Sequence, residues 1–367
     1  MLKTIEVENL KCFKHQLIEL SNLTLLTGFN AAGKSTFIQS ILLANQLVRS
    51  RNGCSSVALN GPVVKLGTSG ELLNEASNTK RVNISFESES GCLNLILDAS
   101  ERNSPSISLI NNKEFFKNKT SLKYTLRDVV YIGAIRLGTH DVFPAPEDAE
   151  PVYADVGCNG QFAPWWFERN MDEDIVAEKK HHTETANTLR RQFNAWAGDI
   201  FPGSQANAIQ LLKTSLVQLE LRTRETEGWR RPANIGYGLT YAFPIIVAGL
   251  LARPGQILIV DSPEAHLHPL GQSKIGEFLA VMASSGVQVI LETHSDHVLN
   301  GIRLAVARQK IDYNNVAINF FSTTEHNGKH IHLVTAPKLD INGNLSEWPS
   351  GFFDQFERDI SALAGWE

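Results

Sequence analysis

The sequence predicts an α/β fold: a mixed sheet core with an antiparallel β subdomain and a helical insertion. Three stretches point to it. Near the N-terminus a strand runs through a glycine-rich loop into a helix. From residue 256 onward short apolar strands alternate with helix-length segments, the pattern of a parallel, doubly wound sheet. Between these stretches the chain turns to short runs of alternating polarity separated by Asn, Ser and Gly, as antiparallel strands with one wet face do.

Taken in order, residues 2–8 alternate as a strand, and SNLTLLTG (21–28) is a second strand ending in glycine. A helix is expected from Ser35 to about Arg49. From Gly53 to Asp128, runs such as RVNISFES and CLNLILDA are strands of the subdomain, and RDVVYIGAI (127–135) returns to the core as a strand. The segment from His140 to about Gly160, rich in Pro, Gly and acidic residues, is a long loop, and residues 183–200 form a helix. QILIVD, GQSKIGEFLAVMAS, VQVILET and DHVLNGIRLAVARQ then give strand, helix, strand and helix.

The chain has 367 residues, 43% hydrophobic and 20% charged, enough for one large α/β domain with an insertion or for two domains. Cys12, Cys54, Cys92 and Cys158 are widely spaced and form no CxxC pair, which points away from structural zinc and from a disulfide framework, and toward a reducing cytoplasm. The N-terminus lacks an apolar signal core and no apolar run reaches bilayer length, so neither export nor membrane embedding is expected. A net charge of -5 and a pI of about 6.1 speak against constitutive, non-specific nucleic-acid binding. Two local basic clusters stand out: Lys179, Lys180, Arg190 and Arg191 on an expected helix, and Arg222, Arg224, Arg230 and Arg231. Both read as solvated faces, a DNA contact being the alternative. The sequence carries no internal repeat and no long heptad arm.

GFNAAGKS (28–35) matches the phosphate-binding loop pattern. Its glycines let backbone N–H groups curl around a β-phosphate, Lys34 reaches the β and γ oxygens, Ser35 ligates magnesium, and the helix N-terminus faces the anion. QILIVDSPEAHLHP (256–269) is an apolar strand ending in Asp261, a carboxylate placed to hold magnesium through water as the Walker B residue of P-loop enzymes does. Glu264 follows three positions on. Glu264, His266 and His268 alternate as metal ligands could, but the other half of a zinc motif is missing. VILETHSDHVLNG (289–301) is a second buried strand ending in Glu292, Thr293 and His294, a polar cluster where ligands bind in open α/β sheets.

Together GFNAAGKS, LIVDSPEAHLHP and ETHSDH resemble the ATPase heads of the OLD, RecF and SMC-like branch of ABC-type ATPases, in particular bacterial OLD-like AAA ATPases without a nuclease domain. The resemblance covers about residues 1–50 and 230–310 with specific motifs and the middle by loose pattern. It implies a P-loop NTPase of ABC type using ATP and Mg2+, with Gly28, Asn30, Ala31, Ala32, Gly33, Lys34, Ser35 and Thr36 around the phosphates and Ser35 and Asp261 as metal ligands. NIGYGLTYAFPIIVAGLL (234–251) is similar to the family's signature motif, a Gly-x-Gly turn that opens a helix and touches the partner subunit's γ-phosphate; Gly236, Gly238 and Thr240 carry it, with Tyr241 a further candidate. YIGAIRLGTH (131–140) is similar to a family segment whose arginine, here Arg136, approaches the nucleotide. SEWPSGFFDQFERDI (346–360) looks like the tail of a bacterial OLD-like subfamily, and Trp348, Phe352 and Phe353 are expected in packing or partner contact. The implied division is a single ABC-type head over 1–367: a nucleotide-binding core of 1–50 and 230–340, an antiparallel β subdomain of 53–135, a loop and helical insertion of 136–229, and a C-terminal tail of 341–367.

One position departs from the family. ABC ATPases place the catalytic glutamate directly after the Walker B aspartate, and Ser262 stands there; a serine is no effective general base for water. Either Glu264 or Glu292 takes the role, with His294 sensing the γ-phosphate, or hydrolysis is slow. Slow hydrolysis suits a switch that holds ATP. The expectation is therefore a cytoplasmic ATPase, homodimeric or a higher even oligomer with head-to-tail composite sites, that controls a separate effector, a nuclease in bacterial antiphage defence. That link rests on family analogy, and the effector is placed on a second protein because the sequence ends soon after the last ATPase helix. The alternative is a RecF-like ATPase acting directly on DNA in repair, against which the acidic balance counts. A transporter subunit and a small-molecule kinase fit the motifs less well.

Overall fold

The computed structural model describes residues 1–50, 56–110, 121–148, 150–326 and 329–365; Cys54 and the start of the expected subdomain at Gly53 lie outside the described residues. The chain opens with β1 (Leu2–Leu10), β2 (Phe13–Glu19), β3 (Leu23–Gly28) and α1 (Lys34–Arg49), followed by β4 (Ser56–Ala58), β5 (Arg81–Ser88), β6 (Gly91–Asp98) and β7 (Ser106–Leu109). Next come α2 (Ser121–Arg127), β8 (Val130–Ile132), β9 (Val142–Pro144), α3 (Ala163–Asn170), α4 (Leu189–Ile200), β10 (Gln205–Gln210) and β11 (Leu216–Arg222). The last part holds α5 (Tyr237–Leu251), β12 (Ile257–Asp261), α6 (Pro269–Ser284), β13 (Gln288–Glu292), α7 (Asp296–Ala307), β14 (Val316–His326), β15 (Lys329–Thr335) and α8 (Gln355–Leu363).

The core sheet runs β15-β14-β3-β13-β12-β8, with β15 antiparallel at one edge and the other strands parallel. The central strands β12 and β13 are apolar between their ends, over Ile257–Val260 and Val289–Leu291, because both faces are covered. Leu258 and Val260 of β12 enter one core with residues of α5, α6 and α7, whereas Ile257 and Ile259 enter a second core with α1 and the antiparallel sheet. The C-terminal ends of β3, β13 and β12 are thereby brought side by side, in the order that places β13 between the other two.

The antiparallel sheet runs β2-β1-β5-β6-β7-β4. Its first two strands come from residues 2–19, upstream of the 53–135 segment, because the buried face of β1 (Ile5, Val7) shares a core with Ile84 and Phe86 of β5. The 136–229 segment carries more than a loop and helices: β9, inside the stretch expected as a loop, pairs with β11, which pairs with β10. The helix expected over 183–200 begins at Leu189. Gln192 explains the late start, since its Nε2 donates to the Ala186 carbonyl (2.6 Å), occupying an acceptor that a longer helix would use itself. The strand expected over 127–135 shortens to β8.

Lys179 corrects the reading of the first basic cluster. Its side chain is fully buried, and Nζ donates to the carbonyls of Gly249 (2.8 Å), Leu250 (3.3 Å) and Ala252 at the end of α5. Those carbonyls have no partner within the helix, and the negative end of the helix dipole favours a cation there. Burial pulls the ammonium down to about 7. Arg190 pairs with Asp172 and Arg191 with Glu184, while in the second cluster Arg230 pairs with Glu227 and Arg231 with Asp141.

Candidate active site

The chain leaves β3 at Gly28 with φ +126°, where a Cβ would stand 2.0 Å from the Phe321 carbonyl oxygen of β14. Only glycine tolerates both the angle and the approach. Gly33, at φ +116°, closes the loop against the Phe13 ring. Asn30 and Ala31 form the exposed crest, Ala32 is buried, and the Thr36 hydroxyl accepts from Cys12 Sγ at 3.7 Å. Lys34, the first residue of α1, is 4% exposed. Its Nζ donates to the carbonyls of Gly28 (3.1 Å) and Phe29 (2.9 Å) and lies 3.9 Å from Glu292 Oε1.

Opposite Lys34, register pairs Asp261 at the end of β12 with Glu292 at the end of β13. Ser35 Oγ donates to both Glu292 oxygens at 3.3 Å. Burial and then the Asp261 charge push the Glu292 carboxyl up to about 7, against the pull of Lys34 and Ser35. Burial holds the Lys34 ammonium below its ordinary value despite Glu292 and Asp261. Ser262 follows in a left-handed backbone (φ +50°) with its Oγ donating to Asp261 Oδ1 at 2.9 Å. Glu264 turns the other way: its carboxylate accepts from Thr293 Oγ1 (2.7 Å) and from the His294 N–H (2.9 Å), tying the loop after β12 to the loop after β13. Burial and the Lys34 charge keep the His294 imidazole below its ordinary value.

Arg136 is buried behind this cluster. Its Nη2 donates to the carbonyls of Asp261 (2.6 Å) and Ser262 (3.0 Å), so it braces the Walker B end, and Tyr241 lies 5.7 Å from the guanidinium. Nε and Nη1 are buried without a protein partner. Gly236 caps α5 with open space around it, whereas Gly238 fits beneath the His266 carbonyl and the Phe201 ring. Thr240 is buried, its hydroxyl bonded to the Tyr237 carbonyl at 2.9 Å. His266 stacks on Tyr237 (5.3 Å) and meets Tyr241 edge-on (4.4 Å), and His268 caps α6. Glu264, His266 and His268 thus serve three different neighbours.

Lys34, Ser35, Asp261, Glu264, Glu292 and His294 are therefore brought together, Arg136 stands behind them, and the signature turn packs on the loop after β12. Sequence reasoning did not place two neighbours of this cluster. Tyr131 of β8 has a phenol raised by burial and by the charges of Asp261 and Glu292; its signal was the tyrosine opening YIGAIR. The C-terminal segment packs beside the phosphate loop, and the two together border a cavity of about 290 Å3 lined by Gly28, Phe29, His294, Gly351, Phe353 and Arg358; its signal was the SGFF turn.

Three family profiles match the sequence. One described as "AAA ATPase domain" spans residues 1–189, one described as "AAA domain, putative AbiEii toxin, Type IV TA system" spans 167–300, and one described as "Protein of unknown function (DUF3696)" spans 311–363. Similar solved structures include an SMC head bound to the C-winged helix domain of ScpA, 12% identical, with a TM-score of 0.53 over 92% of this chain and 98% of that one. Another is the SMC head with an extended coiled coil bound to the C-terminal domain of ScpA, derived from Pyrococcus furiosus, 12% identical, with a TM-score of 0.54 over 99% and 98%. No curated protein matches the chain. These likenesses show the ABC-type head fold. Among the described residues no helix is long and apolar enough to cross a membrane.

Proposed function

The chain belongs to the AAA ATPase domain family and has the fold of an ABC-like ATPase, and from that premise we propose a dimeric switch that holds ATP between two heads and passes its state to a partner protein. The observation that carries the reading is the meeting of Lys34, Ser35, Asp261 and Glu292 at the ends of β3, β12 and β13. Ser35, Asp261 and Glu292 supply the hard oxygen donors that suit Mg2+, and the crowding that raises Glu292 is what a divalent cation would relieve. When bound, the ion would neutralise charge on the phosphates. Lys34 turns from the Gly28 and Phe29 carbonyls to the β and γ oxygens. For the missing glutamate the geometry favours Glu264, because its carboxylate is oriented by the Thr293 hydroxyl and the His294 N–H beside the Asp261–Glu292 pair while Glu292 is engaged with Ser35.

Glu264→Gln is expected to keep ATP binding and lower kcat by about 100-fold or more; turnover within about threefold of wild type would move the base to Glu292. Exposed at the cap of α5, the signature turn offers N–H groups to an anion on a facing subunit, which supports composite sites.

Two features support a separate effector. The similar SMC heads are bound to another protein, and one matching family is described in terms of a toxin–antitoxin system. We read the effector as a nuclease in bacterial antiphage defence. Direct action on DNA is less favoured, since Lys179 is buried and four arginines of the two basic clusters are paired with carboxylates. A nuclease gene beside this one supports the switch; replication or repair neighbours would support the DNA reading.

A further inference from the structure

The C-terminal segment is matched by a family of unknown function, and the ATP chemistry above makes no use of it. We propose that this segment acts in cis on the phosphate loop, with Gly351 as a positioning residue that seats Phe29 and, through it, sets the loop's hold on the nucleotide phosphates. The inference rests on the ATP site proposed above.

Phe29, the second residue of the loop, is fixed from several directions. Its N–H donates to the Phe321 carbonyl (2.9 Å), its own carbonyl accepts from Lys34 Nζ (2.9 Å), and its ring meets Phe320 edge-on at 5.7 Å. Gly351 packs against the tip of the ring, which is otherwise partly exposed, Phe29 being 42% exposed. The glycine has φ +83°, and a Cβ built on it would lie 2.3 Å from Phe29 Cζ. Any L side chain there is strained by the backbone and collides with the ring.

The turn that brings Gly351 to this position is itself anchored. The Gly351 N–H donates to Asp354 Oδ2 (3.0 Å), that carboxylate pairs with Arg358 Nη2 (2.7 Å), and the same nitrogen donates to Ser350 Oγ (3.0 Å). Phe352 is fully buried, with ring contacts to Phe320 (5.3 Å), Trp348 (5.4 Å) and Phe353 (5.0 Å). Arg303 of α7, the helix that follows His294, stands over Trp348 at 5.5 Å. The segment therefore grips the strand beside the phosphate loop and the helix after His294 together.

Lys34 spends two of its three N–H donors on the Gly28 and Phe29 carbonyls, so an ammonium that gives a donor to both a β and a γ oxygen must release at least one of those carbonyls, and the Phe29 peptide is one of the two places in the loop where that exchange registers. A segment pressed on the Phe29 ring resists or follows that movement. Its effect belongs to binding, before the chemical step, and so appears in KM more than in kcat.

Steady-state kinetics with ATP test this. Gly351→Ala is expected to raise KM about tenfold while kcat changes less than about threefold. Adding Phe29→Ala removes the ring that the new methyl group meets, so the double variant should show the KM of Phe29→Ala alone. An unchanged KM in Gly351→Ala, or effects that simply multiply in the double variant, would overturn the proposal. A second measurement needs no variant of the segment: amide exchange over residues 346–363 in the wild-type chain should change when a non-hydrolysable ATP analogue binds, and should not change in Lys34→Ala. Failure of the analogue to bind the wild-type chain would count against the ATP site itself. Binding with unchanged exchange would overturn this inference alone.

Discussion

In the proposed site Lys34 is the side-chain cation that meets the phosphates, and its two carbonyl partners are weak substitutes for phosphate oxygens. Lys34→Ala is expected to weaken ATP binding by about 100-fold or more, measured by calorimetry; wild-type affinity would remove the site assignment. Ser262 offers the opposite kind of change. Ser262→Glu returns a carboxylate to the position after Asp261 and is expected to raise kcat by about tenfold in single-turnover assays. At this scale the phosphate loop, Asp261 and the Glu292–His294 cluster were legible, because fixed spacing beside an apolar strand specifies them. The grip of Thr293 and His294 on Glu264 was not, since it joins residues 29 and 30 positions apart. Nor was the left-handed backbone of Ser262, which serine does not announce.

Among the elements, α5 depends on a residue from outside it. Lys179→Met would leave three buried carbonyls without a donor, and a loss of about 3 kcal/mol is expected in urea unfolding. A change below about 0.5 kcal/mol would show that water replaces the ammonium. The junction of α6 and α7 rests on Glu277, where burial alone would raise the carboxyl. Hydrogen bonds from Lys310 and Lys274 instead hold it down to about 2, and Arg308 adds a third cation. A carboxyl lowered in the folded state stabilises fully above its unfolded value and loses that contribution as pH falls toward the folded one. The stability gap between wild type and Glu277→Gln should thus be widest near neutral pH and narrow between about pH 4.5 and pH 2; a constant gap would sink this assignment. Periodicity located β3, α1, β12, α6, β13 and α7. It placed the start of α4 too early, because a glutamine side chain had taken a backbone acceptor, and it read Lys179 as solvated because a charge near a helix usually is.

For the molecule as a whole, the fold class was legible from alternating strand and helix, yet the sheet composition was not. β1 joins β5, a strand lying some 80 residues further along, and β9 joins β11 across the insertion; such pairings are set by which faces share a core. The head-to-tail arrangement is a property of two chains, and Gly236 provides the means to test it. Gly236 caps α5 at φ -60° with open space around it, so Gly236→Asp fits without collision and is itself a good helix cap. It places a carboxylate on the signature turn, where it would repel a facing γ-phosphate. Lys34→Ala and Gly236→Asp chains should each lack ATPase activity alone. Mixed in equal amounts and allowed to exchange subunits, they form heterodimers in which one composite site carries both lesions and the other carries neither. Activity should return to about a quarter of the wild-type value, as random pairing dictates. No recovery despite demonstrated heterodimers would mean that each site is complete within one chain, and would contradict the composite ATPase proposed for this protein.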